Sequence, residues 1–148
     1  MLLIPHEVLW LDVLIPVGDL LWNDDIGRAS HWLGEAWAEA IGHGAEVHRG
    51  AMVATEWSKL VCFAGLGPGE VLIAGKKVVG LSQRRTRAGA RFQCAVYRSM
   101  DAGLLPTFLH LSDADRASLA KSLLQAVEMC PEPLETTLDR FLVHLSER

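Results

Sequence analysis

Apolar residues fall along this chain in three distinguishable patterns. From Glu7 to Pro16 they crowd together without alternation (Val8, Leu9, Trp10, Leu11, Val13, Leu14, Ile15), and Pro16 and Gly18 close the run. Such density predicts a strand with two apolar faces, which would suit a central strand and, left without a neighbour, makes an edge that invites association. From Asn23 to about Gly42 the period lengthens: Ile26, Ala29, Trp32, Leu33, Ala36, Trp37, Ala40 and Ile41 recur at steps of three and four. That spacing predicts an amphipathic helix, with cap candidates at Asn23, Asp24 and Asp25 and a stop at Gly42 and Gly44.

Short extended pieces follow at Glu46 to Arg49, Lys59 to Phe63, Glu70 to Ala74, Lys77 to Arg84 and Ala90 to Tyr97, with turns expected at "AGK" (74–76) and "TRAG" (86–89). The last fifty residues read as helices. One begins after the cap candidate Ser112 and carries Leu119, Leu123 and Val127 on one face. A final one, "LETTLDRFLVHL", follows Pro131 and Pro133 and turns Leu134, Leu138, Phe141, Leu142 and Leu145 inward. No repeat or linker divides the pattern. The expectation is one α+β domain over 1–148, with a mixed or antiparallel sheet of about five strands flanked by helices.

Composition narrows the picture. At 148 residues, half of them apolar, the chain can bury a proper core. The opening "MLLIPHEVLWLDVLIP" is broken by Pro5, His6, Glu7 and Asp12, so no membrane span is expected there, and a secretory leader is not expected either. Three irregularly spaced cysteines, Cys62, Cys94 and Cys130, suggest reduced thiols and a cytoplasmic location rather than a disulfide framework. The six histidines show no metal-ligand spacing, and His31 and His144 read as helix-surface residues. No metal site is expected.

A net charge of −4 argues against a nucleic-acid binder. Yet seven of the 14 Lys and Arg residues (Lys76, Lys77, Arg84, Arg85, Arg87, Arg91, Arg98) fall between positions 76 and 98. A basic patch on an acidic body suits an anionic ligand or an acidic partner; a solvated hairpin face would read the same way. The glycine-rich "GLGPG" at 65–69 lacks the spacing of a phosphate loop and leads into a strand, so it reads as a mobile or tightly turned loop. Cys62 stands directly before it. A free cysteine there is either a small buried hydrophobe or a nucleophile made thiolate by the nearby cations, and spacing alone favours the hydrophobe.

The stretch "VCFAGLGPGEVLIAGKKVVGLSQRRTRAGARFQC" resembles the core of the lipoate–protein ligases and the related octanoyl and lipoyl transferases, which share a fold with biotin–protein ligases. "GKKVVGLSQRR", Gly75 to Arg85, is similar to the family's G-(R/K)-K-(I/V)-x-G-S-A-Q strand. The resemblance implies attachment of lipoate or octanoate to carrier-protein lysines. Lys77 would face the acyl carbonyl and activated phosphate, and Cys62, 15 residues earlier, would match the nucleophile of the transferase branch. Gly75, Lys76, Val78, Val79, Gly80, Ser82 and Gln83 would line the substrate site, with Leu81 helping the valines to wall an acyl chain. The strand alternation would put Lys77 and Val79 on one face. Arg84, Arg85 and Arg87 would meet an acidic lipoyl domain or glycine-cleavage carrier protein, with an acyl carrier protein as donor in a transferase.

No cofactor would be tightly bound; a ligase would use ATP with magnesium. The sequence departs from the family at Leu81, at Gln93 and at Cys94, and it begins after the family's arginine pair and glycine-rich strand. The expectation is a truncated catalytic fold, inactive as the isolated chain, that forms a homo-oligomer or pairs with a complementary N-terminal subunit. A non-catalytic relative that binds an acyl carrier or a subunit is the alternative.

Overall fold

The computed structural model describes residues 6–148; Met1 to Pro5, the start of the opening apolar stretch, lie outside the described residues. Among the described residues the strands and α-helices are β1 (Val8–Pro16), α1 (His31–Ile41), β2 (Glu46–Val47), β3 (Val71–Ile73), β4 (Lys76–Arg85), β5 (Gly89–Tyr97), α2 (Leu104–Thr107), α3 (Asp113–Ala126) and α4 (Leu134–Ser146). The strands form one sheet in the order β1-β5-β4-β3-β2, every pairing antiparallel. The fold is α+β, as expected, with the antiparallel rather than the mixed sheet.

Two hairpins give the sheet its order. The β3–β4 turn places Ala74 at φ 49° and Gly75 at φ 81°, the paired positive values of a two-residue turn whose twist matches the strands. The turn between β4 and β5 closes with Thr86 N–H donating to the Gly89 carbonyl at 2.9 Å. One sheet face buries Leu33, Trp37, Val79, Phe92, Val96 and Phe141 under α1 and α4. Trp37 and Phe141 stack there with centroids 3.9 Å apart. A separate apolar cluster joins Phe63 and Ala95 to Leu119, Leu123 and Val127, so the α3 face is buried as its spacing predicted. The Ser112 hydroxyl caps α3 by accepting from Asp115 N–H.

Three expectations need correction. The first helix starts at His31, eight residues later than Asn23 would suggest. Asn23 and Asp25 each accept a backbone N–H two residues on, from Asp25 and Gly27 at 2.8 Å, and these side-chain turns compete with helical bonds. Lys59 to Phe63 is not a strand: Trp57 accepts from Leu60 and Val61 N–H, and the chain runs into a 3₁₀ turn at Cys62–Ala64.

On α4, Leu142 points outward at 49 % exposure while Thr137 is buried, since 134, 137, 141 and 145 share a stripe that 142 leaves. β1 lies at the edge of the sheet, as expected for a strand without N-terminal neighbours. Among the described residues it pairs with β5 alone, α1 packs mainly on β2, β3 and β4, and Leu14 is 74 % exposed. His31 and His144 are both half-buried, and His144 Nδ1 lies 3.5 Å from Glu39 and 3.4 Å from Glu147.

Candidate functional site

The basic cluster is dispersed by its strands. Lys76 faces Glu128 at 3.8 Å, and Gly75 sits at the tip of the β3–β4 turn. Arg85 stacks on the Trp22 ring at 4.6 Å and donates to the carbonyls of Asn23 and Asp24. Arg91 holds Asp12 at 2.5 Å and keeps the Asp12 carboxyl below its ordinary range. Arg84 lies directly opposite Arg91 across β4 and β5 and is exposed, as is Arg87 at the hairpin tip.

Lys77 is 2 % exposed. Its ammonium lies 2.9 Å from Glu70 Oε2, donates to Glu70 Oε1 at 3.1 Å and to the Cys62 carbonyl at 3.3 Å, and sits 5.0 Å from the Phe63 ring centroid. A lysine on an apolar strand needs an anion, and Glu70 of the same chain supplies it. Burial pulls the Lys77 ammonium below the ordinary lysine range, with Glu70 pulling it back up. The Glu70 carboxylate has three protein donors in all, for besides Lys77 it accepts from Gly67 N–H at 2.6 Å and from Leu81 N–H at 3.2 Å. Leu81 N–H lies past the end of β3, where no strand partner remains, so the carboxylate completes the ladder.

A β-bulge decides which face Lys77 uses. Val71 pairs with Val79 but Leu72 pairs with Lys77, so β4 carries an extra residue at Val78. The alternation that would put Lys77 and Val79 together is broken. Val78 and Val79 are both fully buried in the cluster under α1, and Lys77 turns instead toward Phe63, whose ring rests on Gly80. A Cβ on Gly80 would lie 2.6 Å from that ring, so only glycine admits it.

Around this point lies an apolar cavity of about 180 Å³ walled by Trp10, Cys62, Phe63, Leu81 and Ala95, with Glu70, Gly80, Ser82 and Gln93 completing it. Of the expected substrate residues it gathers Cys62, Gly80 and Ser82. Gln83 lies in an adjoining hollow of about 230 Å³ that shares Leu81 and Ser82 with it. Val78, Val79, Lys76 and Gly75 line neither, and Lys77 is held behind Glu70. Sequence reasoning missed Glu70, Phe63 and Trp10. A signal for Glu70 existed: it is the only acidic residue between Lys59 and Tyr97.

The loop at 65–69 is tightly turned. Leu66 N–H goes to Val53, Gly67 N–H to Glu70 and Gly69 N–H to His48, so these amides are committed within the protein. The packing is close: a Cβ on Gly34 of α1 would lie 2.2 Å from the Gly69 carbonyl oxygen. A loop so engaged offers no cradle for phosphates. Among the described residues no group of three or more His, Cys, Asp or Glu could hold a metal ion, and no helix is long and apolar enough to cross a membrane.

Cys62 is exposed, whereas Cys94 and Cys130 are buried. Burial pushes the Cys94 thiol up to about 12, so it is almost wholly protonated at pH 8. Iodoacetamide at pH 8 is therefore expected to alkylate Cys62 alone in the folded protein, as peptide mass spectrometry would show. Equal labelling at Cys94 would contradict the packing.

No family model matches the chain, and no curated protein matches it. Solved structures do. The fold is that of a lipoate protein ligase chain. The bi-partite lipoate protein ligase of Thermoplasma acidophilum, solved in a study of an archaeal lipoylation system with its E2 lipoyl domain, superposes with a TM-score of 0.68 at 17 % identity. The match covers 95 % of this chain and 51 % of that one, so the present chain spans about half the length of its neighbour. A T. acidophilum protein ascribed to the lipoate protein ligases and solved with bound lipoic acid gives 0.46 at 10 % identity, over 95 % of this chain and 61 % of that one.

Proposed function

We propose that this chain is an acyl-transfer protein of the lipoate ligase and octanoyltransferase type, with lipoate or octanoate as the acyl group. The observation that carries the reading is the convergence of Cys62, Gly80 and Ser82 on one apolar cavity, with the Lys77 ammonium bonded to the Cys62 carbonyl behind it. Trp10, Phe63 and Leu81 offer an acyl chain cover from water. Cys62 lies close enough to Lys77 that a thiolate there would hold the ammonium's proton more tightly.

In the transfer reaction the Cys62 thiolate attacks the carbonyl of an acyl thioester on a carrier protein, and the carrier thiolate leaves. The acyl group is then a thioester on Cys62. The amine of a lysine on a lipoyl domain or glycine-cleavage carrier protein attacks it, an amide forms and the Cys62 thiol returns. Lys77 faces the negative oxygen of either addition only if it shifts from Glu70 toward the cavity. The committed amides of the 65–69 loop do not suit ATP phosphates, so no step is routed through a nucleotide here. The exposed Arg84 and Arg87 offer the acidic carrier its docking charge; Arg85 stiffens the hairpin against Trp22 instead. The edge of β1, which among the described residues has β5 as its one partner, suits a second copy or a complementary chain, and three free thiols suit the cytoplasm.

Incubation with an octanoyl carrier protein is expected to add one octanoyl group, labile to hydroxylamine, to Cys62 in the intact-mass spectrum. Cys62→Ser should abolish the adduct. Onward transfer to a lipoyl domain should await a complementary chain. No adduct on the wild-type protein would overturn the transferase reading. The second reading, a non-catalytic protein that binds an acyl carrier or a subunit, is favoured by the full engagement of Lys77 with Glu70. It predicts co-sedimentation with the carrier protein and no covalent adduct.

A further inference from the structure

A second apolar cavity, of about 120 Å³, lies on the far side of the 3₁₀ turn against α2, α3 and the end of β5. Tyr97, Met100, Leu105, Leu109 and Leu123 line it. It shares two residues with the first cavity, Cys62 and Phe63, and no others. The Phe63 side chain therefore stands between the two chambers, and the exposed Cys62 borders both.

Volume sets what each can hold. A methylene takes about the room of a water molecule in liquid, ~30 Å³. The first chamber thus holds about six methylenes and the second about four. Neither alone takes an unbranched chain of ten carbons, whereas the two joined would. The partition is a single ring, set edge-to-face against Tyr97 at 4.9 Å and resting on a glycine. Nothing covalent or hydrogen-bonded anchors it.

We propose that the two cavities form one binding site for an unbranched aliphatic chain of about ten carbons, with the Phe63 ring as its movable partition. The inference rests on the reading of the first cavity as an acyl site and deepens it, since it names the chain class that the protein would accept. Phe63 would then set chain length: with the ring in place the site stops near six carbons, and with the ring displaced it extends under α2.

Alkyl methanethiosulfonates of four to fourteen carbons test this directly. Each forms a mixed disulfide with the Cys62 thiolate and releases methanesulfinate, so the labelling rate reports binding of the chain beside Cys62. Each methylene that gains apolar cover should raise the rate about fourfold. The wild-type rate is expected to climb to about ten carbons and then level. Leu105→Trp, which fills the second chamber, should bring the break back to about six, and Met100→Trp should do the same if Leu105→Trp folds poorly. Phe63→Ala should keep the break near ten.

A break near six in the wild type that neither filling variant moves would overturn the two-chamber site and leave the acyl reading intact. Rates independent of length, even among the shortest chains, would overturn both. Peptide mapping confines the readout to Cys62.

Discussion

Replacing Glu70 with alanine is expected to cost about 3–5 kcal/mol of stability, because it strands a buried ammonium together with two backbone N–H groups. Lys77 and Glu70 are 2 % and 5 % exposed, so solvent does not take over the lost contacts. Gly67 N–H and Leu81 N–H lose their acceptor in the same step. Urea unfolding of Glu70→Ala against the wild type measures the loss.

The pair Glu70→Gln with Lys77→Met removes both charges, keeps an acceptor for one amide, and should recover most of the loss. The pH dependence has a definite sign. Without Glu70, Lys77 in the folded protein titrates still further below 10.5, so the unfolded chain binds more protons between the two values. Stability of Glu70→Ala should therefore rise as pH climbs toward 10.5. A cost under about 1 kcal/mol, in the range of an exposed ion pair, would show that the pair is not buried in solution.

Phe141→Ala should cost a similar amount, about 3–5 kcal/mol, by opening a cavity where α4 meets α1. Its ring is fully buried and stacked on Trp37, which is itself fully buried, so nothing nearby can collapse to fill the space without shifting α1. Leu142→Ala, one residue along and half exposed, should stay below about 1 kcal/mol. Denaturant midpoints with unchanged slopes would give both values. Equal costs at the two positions would mean that α4 presents a different face from the one described.

The two effects bear on function differently. Phe141 supports the sheet face remote from Cys62. Glu70 joins the 65–69 loop, Lys77 and Leu81, and through the Lys77 bond to the Cys62 carbonyl it fixes the 3₁₀ turn that presents the thiol. Loss of Glu70 should therefore change Cys62 alkylation rates even under conditions where the protein stays folded.

Much of this architecture was legible from residue order. Apolar density marked β1, β4 and β5, and a three- and four-residue period marked α1, α3 and α4. Ala74-Gly75 and Ser112 set a turn and a cap by local chemistry, which needs no distant partner. The likeness of Gly75 to Arg85 to a lipoate ligase strand pointed to the fold that the superposition shows. Cys62 drew notice because it precedes a glycine-rich loop, and the fold sets it beside an apolar cavity.

What the tertiary structure alone decided concerns pairing over distance. Apolar composition cannot tell a central strand from an edge strand; the expected open edge at β1 is seen because among the described residues only β5 pairs with it. A period of two assumes an unbroken ladder, so the extra residue at Val78 was invisible until β3 and β4 were set in register. That one residue moved Lys77 off the face of Val79 and toward Phe63 and Glu70. The partner of a buried charge is fixed by where the folded backbone brings an oxygen, not by spacing along the chain. Residue order alone shows that Lys77 needs an anion; long-range packing makes that anion Glu70, because the closed loop and the bulged strand bring the two within 3 Å.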